Sequence, residues 1–221
     1  MVTLKDPRLL VGLGVLAGTG ILYLAAKKTV LRPALLSEIK LTRHLDERFF
    51  QGVAQMAADY RSRGASISAM DLLAVFLGES GVHPDAMNAS SGCAGLNQIC
   101  DLRGVGWSGT RQEYLRLTAA EQLPYVRAFF DQKPMHALRD AGSLYLANFN
   151  PGHLGQPDGF VLYQAGSTQY AQNAILDNPG GPKKGYIEVA DMKRYMDYVV
   201  RNHADYWREL SARMAPYEAW A

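Results

Sequence analysis

The chain has few cysteines and no excess of charge of either sign. Cys93 and Cys100 are its only cysteines among 221 residues, and its 23 Lys and Arg residues nearly balance its 21 Asp and Glu residues. A balance this close to neutral does not favour nucleic acid as a partner. The sequence contains no Cys-x-x-Cys pair and no His-x-x-x-His spacing, so it predicts no metal site and indicates no cofactor.

Glycine-rich phosphate loops, internal repeats and low-complexity tracts are also absent from the sequence. With 48% hydrophobic residues, a chain of this length can bury one proper core, which predicts a single globular domain. Cys93 and Cys100 are compatible either with a disulfide, which would suit an oxidising compartment, or with two free thiols. The sequence leaves both open because it does not encode the separation of their Cβ atoms.

One long apolar run occurs near the N-terminus. Leu9 to Ala26 contains eighteen residues without a charge, flanked on both sides by Lys and Arg. As a helix this run would be about 27 Å long, close to the thickness of a hydrocarbon core. We therefore predict a short tail (1–8), a transmembrane helix (9–26) and a linker or stalk (27–44). A cleaved signal peptide is the alternative, although its apolar region is normally shorter.

The most informative stretch is an apolar helix that ends in an acidic residue. Ser68 and Asp71 form a capping-box pattern, and Gly81 marks the end of the helix, so the sequence places Glu79 in the last turn. Helix-end carbonyls and apolar neighbours both disfavour a carboxylate there, and both would raise the pKa of Glu79. A general acid needs such a pKa, although Glu79 could instead be an ordinary solvated residue at a helix end.

A polar loop follows this helix. Its small residues allow tight turns or close approach of a ligand, and its amides can bond sugar hydroxyl or acetamido groups. These residues are Ser90, Gly92 and Gly95, and Asn88, Asn97 and Gln98. The sequence therefore predicts that the loop forms one wall of a cleft beside Glu79.

Two blocks resemble the signature of the soluble-lytic-transglycosylase-type domain. Residues 79–86 match its E-S-x-x-x-P-x-A segment, and residues 92–99 are similar to its G-x-x-G-L-M-Q-I segment. A second block at 146–152 is similar to the A-Y-N-A-G segment of the same family. The resemblance covers roughly residues 45–170, with Asn97, Phe149 and Pro151 standing where the family usually has Met, Tyr and Ala.

The resemblance implies a mainly α fold of the α+β, lysozyme-like kind, with a small β element near residues 92–100. The domain would span 45–221, including a C-terminal helical extension. The implied activity is a peptidoglycan lytic transglycosylase, in which Glu79 is the catalytic acid and glycan strands are the substrate. The implied substrate-binding residues are Ser80, Asn97, Gln98, Phe149, Asn150 and Tyr163.

Two alternatives remain open. A hydrolytic muramidase resembling goose-type lysozyme would use Asp101 to position water, and a non-catalytic wall-binding component would keep only the fold. Either enzyme would have to lie on the periplasmic or outer side of the cytoplasmic membrane, or in a virion membrane. An assembly such as a virion or a secretion apparatus is a further partner class, and the sequence does not decide between a phage and a bacterial origin.

Helical periodicity predicts several further elements. We expect helices over 35–63, from Thr118 through Phe130, over 135–149 and over 189–214, and we expect Tyr163 and Tyr170 on a helical segment. Residues 177–191 are similar to the loop of an EF-hand, but a lysine, Lys184, stands where calcium would be bound.

Overall fold

The computed structural model describes residues 41–218 of the chain. The predicted tail, membrane span and most of the linker therefore lie outside the described residues. Within 41–218, no helix combines the length and the apolar character that crossing a membrane requires.

The described part of the chain is mainly helical, as the sequence predicts. Its helices are α1 (Glu47–Ser62), α2 (Ala69–Ser80), α3 (Arg111–Tyr114), α4 (Ala119–Asp131), α5 (Ala141–Phe149), α6 (Thr168–Asn173), α7 (Val189–Asn202) and α8 (Ala204–Glu218). Its strands are β1 (Val161–Gln164) and β2 (Tyr186–Glu188), and short 3-10 turns lie at Arg103–Val105, Met135–Ala137, Pro151–His153 and Ala174–Leu176.

Helix α2 is the centre of the core. Every residue from Leu72 to Ser80 is buried, and α1, α5, α7 and α8 pack around the helix. The predicted capping box is confirmed, because Ser68 accepts from the backbone N–H of Asp71 and Asp71 accepts from that of Ser68. Gly81 ends the helix in the left-handed conformation, which glycine adopts without a Cβ penalty. These two caps place Glu79 in the last turn.

The β structure differs in part from the expectation. Isolated bridges join Ala94 to Ile99, within the region 92–100 predicted to contain a small β element, and to Met87, which precedes that region. The only named sheet of the described residues is an antiparallel pair of β1 and β2, in which Tyr163 faces Ile187. The expectation that Tyr163 lies on a helix is therefore wrong, whereas Tyr170 lies on the short helix α6.

Within the described residues, two helices begin later than their periodicity predicts. Helix α1 begins at Glu47 because the Asp46 side chain caps it by accepting from the backbone N–H of Phe49. The helix expected over 135–149 begins at Ala141, where Asp140 accepts from the backbone N–H of Ser143. In both cases a short acidic side chain satisfies the first free N–H groups of the helix and so sets its start.

The single C-terminal helix expected over 189–214 is two helices that separate at His203. No glycine or proline marks this break. The second helix, α8, binds the segment that precedes α1: the Glu209 carboxylate accepts from the backbone N–H groups of Leu41 and Thr42. Arg213 donates to the carbonyl oxygens of Thr42 and Leu45. These long-range bonds hold the start of the domain against its end.

The EF-hand-like loop carries a lysine ammonium among its carboxylates. Nζ of Lys184 lies 2.9 Å from Glu188 Oε1 and 2.8 Å from Asp191 Oδ2, and Asp191 is fully buried. Asp177 accepts from the backbone N–H groups of Lys184 and Gly185. A side-chain cation therefore balances the buried carboxylate at this site.

Candidate active site

Glu79 is a buried carboxyl group at the wall of a cavity. Its side chain is 2% exposed, and Nδ2 of Asn148, on helix α5, lies 3.2 Å from its Oε1. Burial raises the pKa of Glu79 from its ordinary 4.5 to about 8, and the hydrogen bond from Asn148 only partly offsets that rise. Glu79 is therefore mainly protonated at neutral pH, which is the state required of a proton donor.

Asn97 and Asn148 form a reciprocal amide pair beside the acid. Asn97 Nδ2 donates to Asn148 Oδ1 at 2.8 Å, and Asn148 Nδ2 lies 3.0 Å from Asn97 Oδ1. The pair joins the two sequence blocks that carry the family resemblance, one after α2 and the other in α5. Asn148 thus orients Glu79, although sequence reasoning did not select it. Its place in the second block, directly before Phe149, was the signal that could have identified it.

Gln122, on helix α4, fixes the loop that carries Asn97 and was also missed. It is fully buried, and its Oε1 accepts from the backbone N–H of Leu96 at 2.9 Å. Its Nε2 donates to the carbonyl oxygens of Pro84 and Tyr114. One side chain therefore satisfies three buried backbone groups, and no local sequence pattern distinguishes this glutamine from an exposed one.

The same contact explains why Gly95 is a glycine. Its φ is +76°, and a Cβ atom there would collide with the Gln122 side chain and lie 2.6 Å from Tyr114 Cε1. A larger residue would push the loop away from α4. A disulfide between Cys93 and Cys100 closes the loop on its other side, so of the two states that the sequence left open, the structure has the bridge.

The cavity beside Glu79 has a volume of about 230 Å³. Its polar and charged lining consists of Glu79, Asn97, Gln98, Asp101, Gln132, Lys133 and Asn148. Ile99, Val105, Phe129 and Pro151 contribute apolar surface. A site that combines apolar walls with a few convergent amides and one neutral acid suits a polar organic ligand such as a sugar.

Gln98 helps to shape this wall. Its backbone has a φ of +45°, and its Nε2 donates to the carbonyl oxygens of Ala86 and Gly95. Its Oε1 is buried and accepts no hydrogen bond from the described residues. The amide therefore holds the loop through its two donated hydrogen bonds.

The remaining predicted site residues lie elsewhere. The Ser80 hydroxyl donates to the carbonyl oxygen of Phe76 within α2, so it makes its bond inside the core rather than to Glu79. Asn150 Nδ2 donates to the Tyr163 hydroxyl at 3.0 Å, and the Phe149 ring packs edge-on against Tyr163 with centroids 5.9 Å apart. Phe149, Asn150 and Tyr163 thus form a second cluster, which Pro151 connects to the cavity lining.

Residues 41–218 contain no group of three or more His, Cys, Asp or Glu side chains arranged to hold a metal ion. The group in the cavity that can take part in a reaction is a protonated carboxyl group, Glu79, which an amide holds in position.

Compared with known proteins, the chain matches no family model, no curated protein and no solved structure.

Proposed function

We propose that the protein is a peptidoglycan lytic transglycosylase on a lysozyme-like scaffold, with Glu79 as its catalytic acid. One observation carries the proposal: the buried Glu79 lies at a cavity that the amides of both signature-like blocks line. Asn97 and Gln98 come from the first block, and Asn148 comes from the second. Blocks about fifty residues apart in sequence thus meet at one neutral acid.

The single acid is sufficient for this reaction. Glu79 gives its proton to the oxygen between N-acetylmuramic acid and N-acetylglucosamine, while the substrate's own N-acetyl group assists departure at C1. The C6 hydroxyl of the muramic residue then attacks C1, and its proton returns to Glu79. The bond to the leaving sugar is replaced by an internal 1,6-anhydro bond, so no water is consumed and the acid is regenerated.

Two further features support the proposal. The Cys93–Cys100 disulfide is typical of proteins outside the reducing cytosol, where peptidoglycan lies. The apolar run at residues 9–26 would anchor the domain to a membrane beside that substrate. A membrane-anchored enzyme of this kind would open the wall locally for a virion or an envelope assembly.

A hydrolytic muramidase is the second candidate, because Asp101 lines the same cavity as Glu79. A second carboxylate could activate a water molecule, as inverting glycosidases require. The Asp101 carboxylate accepts from the backbone N–H of Gly104 at 3.0 Å, which fixes its orientation at the cavity wall.

Product analysis separates these functions. Purified full-length protein is incubated with peptidoglycan sacculi, and the released fragments are identified by mass spectrometry. We expect fragments with 1,6-anhydro ends. Fragments heavier by one water would favour the hydrolase, and intact sacculi after treatment with correctly folded protein would favour a non-catalytic component.

A further inference from the structure

The cavity contains a lysine that the proposed reaction does not use. Lys133 follows helix α4, and its Nζ lies 4.5 Å from the centroid of the Phe129 ring. Both residues line the cavity that contains Glu79. The ring face attracts the ammonium group and so holds it at the cavity wall.

No carboxylate of the described residues neutralises this ammonium. None of the ion pairs within 41–218 includes Lys133, whereas the buried Asp191 carboxylate pairs with two cations, Lys184 and Arg194. Its side chain is half-buried, and the resulting desolvation lowers the pKa of Lys133. A partly desolvated cation without a counter-ion gains more from an incoming anion than a fully hydrated one does.

The two carboxyl groups of the cavity do not act as a counter-ion for Lys133. Glu79 is protonated at neutral pH, and Asp101 accepts from the Gly104 N–H rather than from Lys133. The cavity therefore presents several amides, a neutral acid, the Asp101 carboxyl group and one ammonium group that has no ion-pair partner among the described residues.

We propose that Lys133 binds a carboxylate of the glycan substrate and so selects acidic glycans over neutral ones. This inference rests on the proposed function. N-acetylmuramic acid carries a lactyl carboxyl group, which is free in strands without peptides and amide-linked in strands with them, where the peptide supplies its own carboxylates. Glycans of N-acetylglucosamine alone have neither. Both sources present the same group to the ammonium, a carboxylate beside an amino sugar.

Lys133 acts on the binding of the substrate and not on the protonation of Glu79. Burial raises the pKa of Glu79, the hydrogen bond from Asn148 partly offsets that rise, and Lys133 does not contribute to either effect. Loss of the ammonium should therefore weaken binding of acidic glycans without changing the pH dependence of catalysis.

The test measures binding in a Glu79→Gln background, so that no glycan is cleaved. Calorimetry compares Glu79→Gln with Glu79→Gln/Lys133→Met on three ligands: chitin oligosaccharides, peptide-free glycan strands and peptide-bearing strands. We expect Lys133→Met to raise Kd about tenfold on at least one acidic ligand, which is typical of the loss of one charge-assisted bond. Chitin oligosaccharides should bind both proteins equally, and Lys133→Arg should restore acidic binding.

Lys193→Met is the matched control, because Lys193 is exposed and does not line the cavity. An effect on peptide-free strands identifies the lactyl carboxylate, and an effect on peptide-bearing strands alone identifies a peptide carboxylate. Equal losses on neutral and acidic glycans, or no loss on either, would overturn the inference and leave the proposed function standing. If Glu79→Gln binds none of the ligands and the wild-type protein cleaves no sacculi, the proposed function and this inference both fail.

Discussion

Glu79→Gln is expected to lower the turnover of peptidoglycan about 10³-fold or more, since a positioned general acid contributes roughly that factor. The amide has almost the shape of the protonated carboxyl group, and its oxygen can still accept from Asn148. It has no proton to give to the glycosidic oxygen. The fold and glycan binding should therefore persist while catalysis is lost, as measured by the release of soluble fragments from labelled sacculi.

Glu47→Gln is the matched control for this loss. Glu47 is exposed in the first turn of α1 and does not line the cavity, so the same chemical change there should leave turnover unaltered. Circular dichroism and glycan binding establish that each variant is folded. A folded Glu79→Gln protein that clears sacculi at the wild-type rate would exclude Glu79 as the acid.

The same substitution is expected to stabilise the protein at neutral pH. The pKa of Glu79 is about 8 in the folded protein and near its ordinary 4.5 in the unfolded chain. Between these values the folded state retains a proton that the unfolded state has released, so the stability of the wild-type protein falls as the pH rises. At pH 7 this penalty is about 3 kcal/mol, and glutamine, which does not titrate, avoids it.

Denaturant unfolding of both proteins over a pH series measures this difference. The advantage of Glu79→Gln should be near zero below pH 4.5, grow up to about pH 8 and then level off. An advantage that is the same at pH 4 and pH 8 would mean that the Glu79 carboxyl group does not titrate as its burial requires.

Local signals in the sequence were sufficient to predict the end of a helix where the capping residues lie next to that end in the sequence. Ser68, Asp71 and Gly81 fix both ends of α2 and so place Glu79 correctly, and Thr118 with Glu121 marks the start of α4 in the same way. The mainly helical class follows from the same periodicity. These features depend on residues a few positions apart, which a linear pattern records.

Features that depend on distant residues could not be predicted in this way. The break at His203 lets α8 bind residues 41–45, and β1 needs β2, which lies more than twenty residues further along the chain. Asn148 and Gln122 acquire their roles only when α5 and α4 pack against the loop after α2. An amide in a helix has no sequence mark that distinguishes a solvated side chain from one that fixes an active site.

The titration of the Glu79 carboxyl group tests the central claim most directly. Carbon-13 NMR of the protein labelled at glutamate side chains follows each carboxyl carbon with pH, and the signal missing from Glu79→Gln identifies residue 79. We predict a midpoint at about pH 8, which leaves a proton available for transfer at neutral pH. A midpoint at or below 4.5 would mean that Glu79 is an ionised carboxylate at neutral pH, and the proton donor on which the proposed reaction depends would not exist.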